Sequence, residues 1–295
     1  GTVIDISINH KNADSLLNDV IDKLKEYEMR FSANNNESEL MSINLNAGKK
    51  WVKAGQDLFD LIEIGKNHSI AANSYLNIAI GPLTKAWNIG FSDSRKPSET
   101  EIEKLLTLIN PEKIQLNPEK QSVFLEEGMA IDLGALAKGY IADLIMTYLK
   151  EQGAIAALIN LGGNVMTFGD APSEHRTNWR IGIRNPTKDR NSYSKILQVK
   201  NKSVVTSGIY ERTLKTKDQT YHHIFNSSTG YPIKTPVLSL TIISDKSVDG
   251  EIWTSRLFGH EVTEILNVVE KLEDIETLII TKENIYQSSG MTKYL

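Results

Sequence analysis

The chain of 295 residues carries 33 basic and 37 acidic side chains, a net charge of −4, six histidines and no cysteine. That balance excludes a basic nucleic-acid footprint, and the lack of CxxC and HExxH spacings argues against a zinc enzyme. No apolar run reaches the roughly 18 residues a membrane span needs, and a Cys-free chain fits an exported protein without showing export. Thr2–Ile8 alternates apolar and polar residues and predicts a strand. Leu16, Leu17, Val20, Ile21 and Leu24 recur at helical spacing and predict a helix over Ser15–Arg30. The asparagine-rich FSANNNESEL then breaks it, because short amide side chains compete for backbone hydrogen bonds. A second helix is expected over Asp57–Ala72, with Asp57 as its cap. NIAIGPLTKAWNIGF reads as irregular, and Pro97–Asn110 as a loop followed by a short helix opened by the capping box SETE.

Val123–Leu125 and Met129–Leu133 read as short strands, and Ala135–Lys150 as a helix entered through Gly134. Ile155–Asn160 is a buried strand running into Gly162 and Gly163. Short strands follow at Trp179–Ile183, Ile196–Val199, Val204–Thr206, His223–Phe225 and Val237–Ser244. Helices are expected from Asp249 to Phe258 and from Val262 to Lys271, then strands at Thr277–Thr281 and Ile285–Gln287. The stretches 92–100 and 171–178 are polar surface loops. The class is α+β, with helices packed on a mixed, largely antiparallel sheet. The strand-like opening GTVIDISI, with no visible signal peptide, leads to the expectation that a natural N-terminal segment and any sorting signal were trimmed.

Five motifs carry the chemistry. AIDLGALAKGYIAD (130–143) is a strand, a glycine turn and a helix start, where free N–H groups and the helix dipole favour an anion. Lys138 falls in the first turn, where the dipole disfavours a cation; it suits phosphate pairing, and an ordinary strand-to-helix turn with a solvated lysine fits equally. LINLGGN (158–164) permits close backbone approach or positive φ, and by itself reads more readily as a β-turn. VVTSGIYERT (204–213) places Thr206 and Ser207 at a strand end. No GxSxG elbow surrounds Ser207, so a binding role fits it better than a nucleophilic one; Arg212 is a phosphate partner or a surface charge. YHHIFNSSTGYP (221–232) alternates so that His223 and Phe225 share one face, and one histidine facing a cleft is a candidate base or an ordinary structural residue. DGEIWTSRLFG (249–259) has Asp249 at the helix cap, with Glu251 and Ser255 one turn apart on one face. A carboxylate, a hydroxyl and a carbonyl form a hard-oxygen set suited to Mg²⁺; a capping acid with an exposed glutamate is the plainer reading. Asn34, Ser38, Glu39 and Asn44 line an entrance or belong to a solvated loop.

The ordered series FS…SEL…N, Gly81-Pro82-Leu83, DLGALAKGY, LGGN, TSGIYER and HHIFNSSTGYP, ending at the acidic helix, resembles the ApbE family of FAD:protein FMN transferases over nearly the whole chain. The resemblance implies an ApbE-like (T-fold-like) architecture in one domain over 1–295. It implies a Mg²⁺-dependent enzyme that cleaves FAD at its pyrophosphate, passes FMN to a Thr or Ser hydroxyl of an acceptor flavoprotein as a phosphoester, and releases AMP. Members are commonly exported and often lipid-anchored, which implies an extracytoplasmic, membrane-anchored location. By the same resemblance His223 is the base, and Lys138 acts with the metal on the pyrophosphate. Ala135 (through its carbonyl), Glu251 and Ser255 hold the metal, and Asn34, Ala135, Lys138, Gly162, Gly163, Asn164, Ser207, Gly208, Tyr210 and His223 line the FAD site.

This chain departs from the family pattern at four places. Glu251 and Ser255 stand where an aspartate and a threonine are usual; a register through Asp249 would put Trp253, which cannot ligate, at the hydroxyl position, so Asp249 is the alternative. Asn226 and Asn77 replace customary aspartates, and Asn34 replaces an aromatic, admitting water near the cofactor. Water as acceptor would make the chain an FAD pyrophosphatase, and a weakened metal pair would leave a non-catalytic flavin binder.

Overall fold

The computed structural model describes residues 3–173, 176–189 and 192–295. The chain runs β1 (Ile4–Asn9), α1 (Ala13–Phe31), α2 (Glu39–Leu45), β2 (Val52–Lys53), α3 (Gln56–Ile70), α4 (Gly81–Trp87), α5 (Glu99–Leu106), β3 (Gln115–Asn117), β4 (Ser122–Phe124) and α6 (Ala137–Glu151). It continues through β5 (Ala156–Leu161), β6 (Asn164–Phe168), β7 (Trp179–Arg184), β8 (Tyr193–Val199), β9 (Ser203–Gly208), β10 (Thr213–Lys215), β11 (Thr220–His222), β12 (Phe225–Asn226) and β13 (Tyr231–Pro232). The last elements are β14 (Val237–Ser244), α7 (Ser247–Leu257), α8 (Val262–Val269), β15 (Glu276–Thr281) and β16 (Ile285–Gln287). Thr2 of the expected first strand, and part of the 171–178 loop, lie outside the described residues.

A seven-stranded sheet in the order β1-β5-β6-β9-β14-β15-β16 is the spine. All of its ladders are antiparallel; the one parallel pairing among the described residues is an isolated bridge between Ile80 and Ala130. Strand periodicity assigns the two faces. Ala157, Ile159 and Leu161 of β5 meet Leu16 and Val20 of α1 and Ala142, Ile145 and Leu149 of α6. Ala156, with Val204, Ile243 and Leu278, points the other way, onto Trp179, Ile181, Leu197 and Val199 of the β7–β8 hairpin. The central strand β14 is covered on both sides, so Ser239, Thr241 and Ser244 are buried along with its apolar residues. A helical layer of α2 and α3, with β2 and β4, closes over Leu133, Leu136, Val248 and Ile252, burying the junction of α6 and α7. No helix is long and apolar enough to cross a membrane among the described residues.

Several local expectations change. The break after α1 holds a further helix, α2, because Ser38 caps it by accepting the Met41 N–H. GPLTKAW is also helical, with Pro82 in the first turn, where its missing N–H costs nothing. Asp57 is not the α3 cap; Gly55 holds that place and Asp57 pairs with Arg30. Met129–Leu133 is not a strand. Its backbone bonds go elsewhere: Ile131 N–H donates to Asn44 Oδ1 (2.8 Å), Asn44 Nδ2 donates to the Ile131 carbonyl (2.9 Å), and Asp132 N–H donates to the Ile78 carbonyl (2.8 Å). Only half of the SETE box forms, since Ser98 accepts the Glu101 N–H while the Glu101 carboxylate turns to Arg95.

Helices α6 and α7 pack with almost no gap at Gly139. A Cβ there would lie 2.5 Å from the Ser247 carbonyl oxygen and 2.8 Å from Glu251 Cγ. Gly139→Ala is therefore expected to destabilise the fold by about 1–3 kcal/mol despite the better helix propensity of alanine. Urea unfolding measures this; an unchanged midpoint would mean the two helices part at no cost.

Candidate active site at the head of α6

The turn into α6 is built by Asp132. Its Oδ1 accepts the Gly134 N–H (2.8 Å) as an Asx turn, and its Oδ2 accepts the Thr84 hydroxyl (2.9 Å), which ties in α4. The Leu133 carbonyl then takes the N–H groups of Leu136 and Ala137. The N–H groups of Lys138 and Gly139 and the carbonyls of Gly134 and Ala135 find no backbone partner among the described residues. Gly134 and Ala135 are exposed. Free donors at an exposed helix start form an anion-binding surface.

Glu251, only 3 % exposed, reaches this surface from α7. Its Oε1 accepts from Lys138 Nζ at 2.6 Å and from Asn164 Nδ2 at 2.5 Å, while Oε2 makes no hydrogen bond among the described residues. Asn164 is delivered by the β5–β6 hairpin. Gly162 and Gly163, at φ +63° and +100°, make its two-residue loop, and the Asn160 side chain accepts the Gly163 N–H (2.8 Å). LGGN is thus a β-turn whose product is a buried amide beside a carboxylate.

The two other acidic groups of this region separate cleanly. Asp249 does not cap α7. That cap comes from Asp143 of α6, whose two oxygens accept the N–H groups of Ser247 (2.7 Å) and Val248 (2.9 Å). Burial holds the Asp249 carboxyl above its usual range, and it is Glu251, not Asp249, that pairs with Lys138 among the described residues. Ser255 follows Glu251 by one turn, partly buried, and its hydroxyl has no partner among the described residues. Thr254 donates to the Glu251 carbonyl (3.1 Å), so its hydroxyl is spent within the helix.

The two histidines also part ways. The strand expected over His223–Phe225 is broken: β11 ends at His222 and β12 begins at Phe225. The His222 ring causes the break, since Nδ1 accepts the Ile224 N–H (3.2 Å) and Nε2 donates to the Ile233 carbonyl (2.9 Å). His223 sits at the kink. Its Nδ1 faces the Arg212 carbonyl at 3.3 Å; a carbonyl only accepts, so Nδ1 carries the proton and Nε2 keeps a free lone pair. Burial first, then the nearby positive charges of Arg212 and Lys138, push the His223 imidazole down to about 4, against the partial offset of the Arg212 carbonyl.

The remaining expected residues are more dispersed. Ser207 and Gly208 end β9 opposite Leu240 and Ser239. Tyr210 folds back over Gly208, where a Cβ would lie 2.6 Å from its ring, and the Arg184 guanidinium stacks on it at 4.6 Å. Asn34 is exposed on the α1–α2 loop; its N–H donates to Ser32 Oγ, and it makes no hydrogen bond to the Lys138 cluster. Of the other residues in that loop, Ser38 caps α2, Glu39 holds the Gly55 N–H and pairs with Arg30, and Asn44 pairs with Ile131. Asn77 donates to the Ile109 carbonyl and accepts the Ala79 N–H, a double role an aspartate could not fill. Asn226 accepts the Ser228 N–H in the turn after β12. Sequence reasoning missed Asp132, Gly139 and Asp143, although all three stand in AIDLGALAKGYIAD; the signal was an aspartate five residues after Lys138.

Comparison with known proteins places the chain in a family. The ApbE family model matches residues 1–279. The chain belongs to the ApbE family. An FAD:protein FMN transferase of Klebsiella pneumoniae (strain 342) is 39% identical over 274 residues, covering 92% of this chain and 84% of the relative. One of Treponema pallidum (strain Nichols) is 33% identical over 259 residues, covering 83% of this chain and 72% of the relative. Among solved structures, the ApbE protein of Thermotoga maritima superposes with a TM-score of 0.89 at 24% identity, covering 100% of this chain and 96% of that one. The flavin transferase ApbE of Vibrio cholerae reaches 0.87 at 22% identity, with the same coverage. At those identities the structural likeness speaks for the fold.

Burial is the largest influence on Asp143, raising its carboxyl to about 6 against the lowering by the two N–H donors. A folded-state value above the unfolded one favours folding below about 3.8, and that contribution is lost as pH rises through about 6. Asp143→Asn removes the titration. The stability difference between wild type and variant is expected to move against wild type by about 1–3 kcal/mol from pH 4 to 7. Urea unfolding across that range checks this; parallel pH profiles would contradict it.

Proposed function

We propose that this ApbE family member transfers FMN from FAD to a Thr or Ser hydroxyl of an acceptor flavoprotein, in a Mg²⁺-dependent reaction that releases AMP. The observation that carries the reading is the convergence of Lys138, Glu251 and Asn164 beside the unpaired N–H groups at the head of α6, with an unprotonated His223 Nε2 nearby. Relatives covering most of the chain are named FAD:protein FMN transferases, which supports the same activity.

The donor set suits the metal. No cluster of three or more His, Cys, Asp or Glu side chains occurs among the described residues. Mg²⁺ needs none, since one or two carboxylates plus waters and substrate phosphates complete its octahedron. Glu251 Oε2, the Ser255 hydroxyl and the Ala135 carbonyl are hard oxygens without hydrogen-bond partners of their own among the described residues. These three residues would hold the ion, which would supply charge neutralisation at the pyrophosphate.

The chain's own groups account for the rest. Free N–H groups at α6 and the Lys138 ammonium bind the pyrophosphate oxygens. His223 Nε2 accepts the proton of the acceptor hydroxyl as that oxygen attacks the FMN phosphorus. The bridging P–O bond breaks, and the bridging oxygen leaves with AMP. An imidazole near 4 is a weak base in the free protein, and the negative charge of bound pyrophosphate raises it toward the working range. Asn34, Ser207, Gly208 and Tyr210 would contact the flavin end.

Incubation with FAD, Mg²⁺ and a domain bearing an acceptor threonine, followed by intact-mass measurement, tests the reading. A gain of one FMN on the partner, abolished by chelator, is expected. FMN and AMP released with an unmodified partner would replace it with a hydrolase, and no FAD consumption with a simple binder. His223→Ala should retain FAD binding and lose about 10²- to 10⁴-fold in transfer; equal loss of both would make His223 structural. In the free protein, the NMR titration of His223 should show no inflection between pH 5.5 and 8, because its imidazole is held at about 4.

A further inference from the structure

Glu251 has a cation beside it before any metal arrives. The carboxylate is nearly fully buried, and a buried charge needs a partner. The partner is the Lys138 ammonium at 2.6 Å, backed by the Asn164 amide at 2.5 Å, both on Oε1. The two members of the pair differ in freedom. Glu251 is fixed: its Cγ lies against Gly139, and its helix is capped by Asp143. The Lys138 side chain is 35% exposed and springs from the first turn of α6, where the helix dipole works against a cation and unpaired N–H groups collect anions.

We infer that Lys138 is a place-holding cation: a divalent ion at Glu251 displaces its ammonium, which then turns to the anionic substrate at the head of α6. The inference rests on the metal reading of Glu251 given above. It has a thermodynamic consequence. In the free protein the ion must compete with a resident positive charge, so the site binds metal weakly. A phosphate that engages Lys138 removes that competition, and linkage makes the strengthening reciprocal. Metal and pyrophosphate therefore load together.

The test uses the whole chain without FAD. Mg²⁺ binding is measured by titration calorimetry for wild type and Lys138→Met, with melting temperatures in chelator and in saturating Mg²⁺. Lys138→Met is expected to bind Mg²⁺ about tenfold more tightly. It should also melt lower than wild type in chelator, because Glu251 is left buried and unpaired, and should gain more from Mg²⁺ than wild type does. Equal or weaker Mg²⁺ binding by the variant, or a Mg²⁺ gain no larger than in wild type, overturns the inference. Should Lys138→Met fail to fold, Lys138→Gln keeps a hydrogen bond to Glu251 without the charge and is held to the same comparison. Absence of Mg²⁺ binding by both chains also overturns it, whatever the transfer assay gives. Tighter binding by the variant, with no FMN transfer by wild type, would uphold the place-holder and reject the transferase reading.

Discussion

A carboxylate buried to 3% exposure is the constraint on which this structure turns. Burying an ionised glutamate without partners costs several kcal/mol, and Lys138 and Asn164 offset that cost. Those residues belong to three elements far apart in sequence: α6, the β5–β6 hairpin and α7. The contact thus joins α6, α7 and the β5–β6 hairpin at a single polar centre. The polar centre and the fold around it specify each other.

The geometry beneath that centre is set by backbone rather than by charge. Helix α7 has no side-chain cap of its own at Lys246; it borrows the Asp143 carboxylate from α6. Gly139, one residue after Lys138, lets the Ser247 carbonyl approach so closely that no other side chain fits. Within six residues α6 therefore supplies the cation, the clearance and the cap. The cost is visible in Asp143, where burial outweighs two N–H donors and holds the carboxyl near 6. The loop before α6 is pinned in a similar way, by side chains standing in for strand partners: Asn44 at Ile131, and Asp132 at Gly134 and Thr84.

This explains what could be read from the chain and what could not. Strand β14 and helices α1 and α6 were legible to within about two residues, the helices because their apolar residues recur at helical spacing over many positions and β14 because it is a β-branched-rich stretch buried almost throughout. The short helices α2 and α4 were not, since seven residues show too little periodicity and their starts depend on a single cap or proline. Met129–Leu133 looked like a strand because it is buried and apolar, yet its partners are the Asn44 side chain and the Ile78 carbonyl, some 50 to 90 positions away and beyond any local signal. Glu251 and Lys138 were picked out, but not as a pair. Asn164 entered through the family resemblance, and Glu251 was preferred to Asp249 because the Asp249 register puts Trp253, which cannot ligate, at the hydroxyl position; of the two acids, Glu251 is the one bonded to Lys138 among the described residues.

The electrostatics of the free site work against its own chemistry, and that is informative. Lys138 is tied to Glu251, and burial above all, with smaller contributions from the charges of Arg212 and Lys138, keeps His223 from accepting a proton. An anion at the head of α6 reverses both conditions. It offers Lys138 another partner, and it cancels part of the positive field that depresses the imidazole. In the proposed reaction one ligand would therefore free Glu251 for the metal and strengthen His223 as a base at the same time. In that exchange the Asn164 amide would stay on Oε1 when the ammonium leaves, so Glu251 would keep a donor. A neutral residue at 164 that could not donate would lose that protection while leaving the Lys138–Glu251 pair intact.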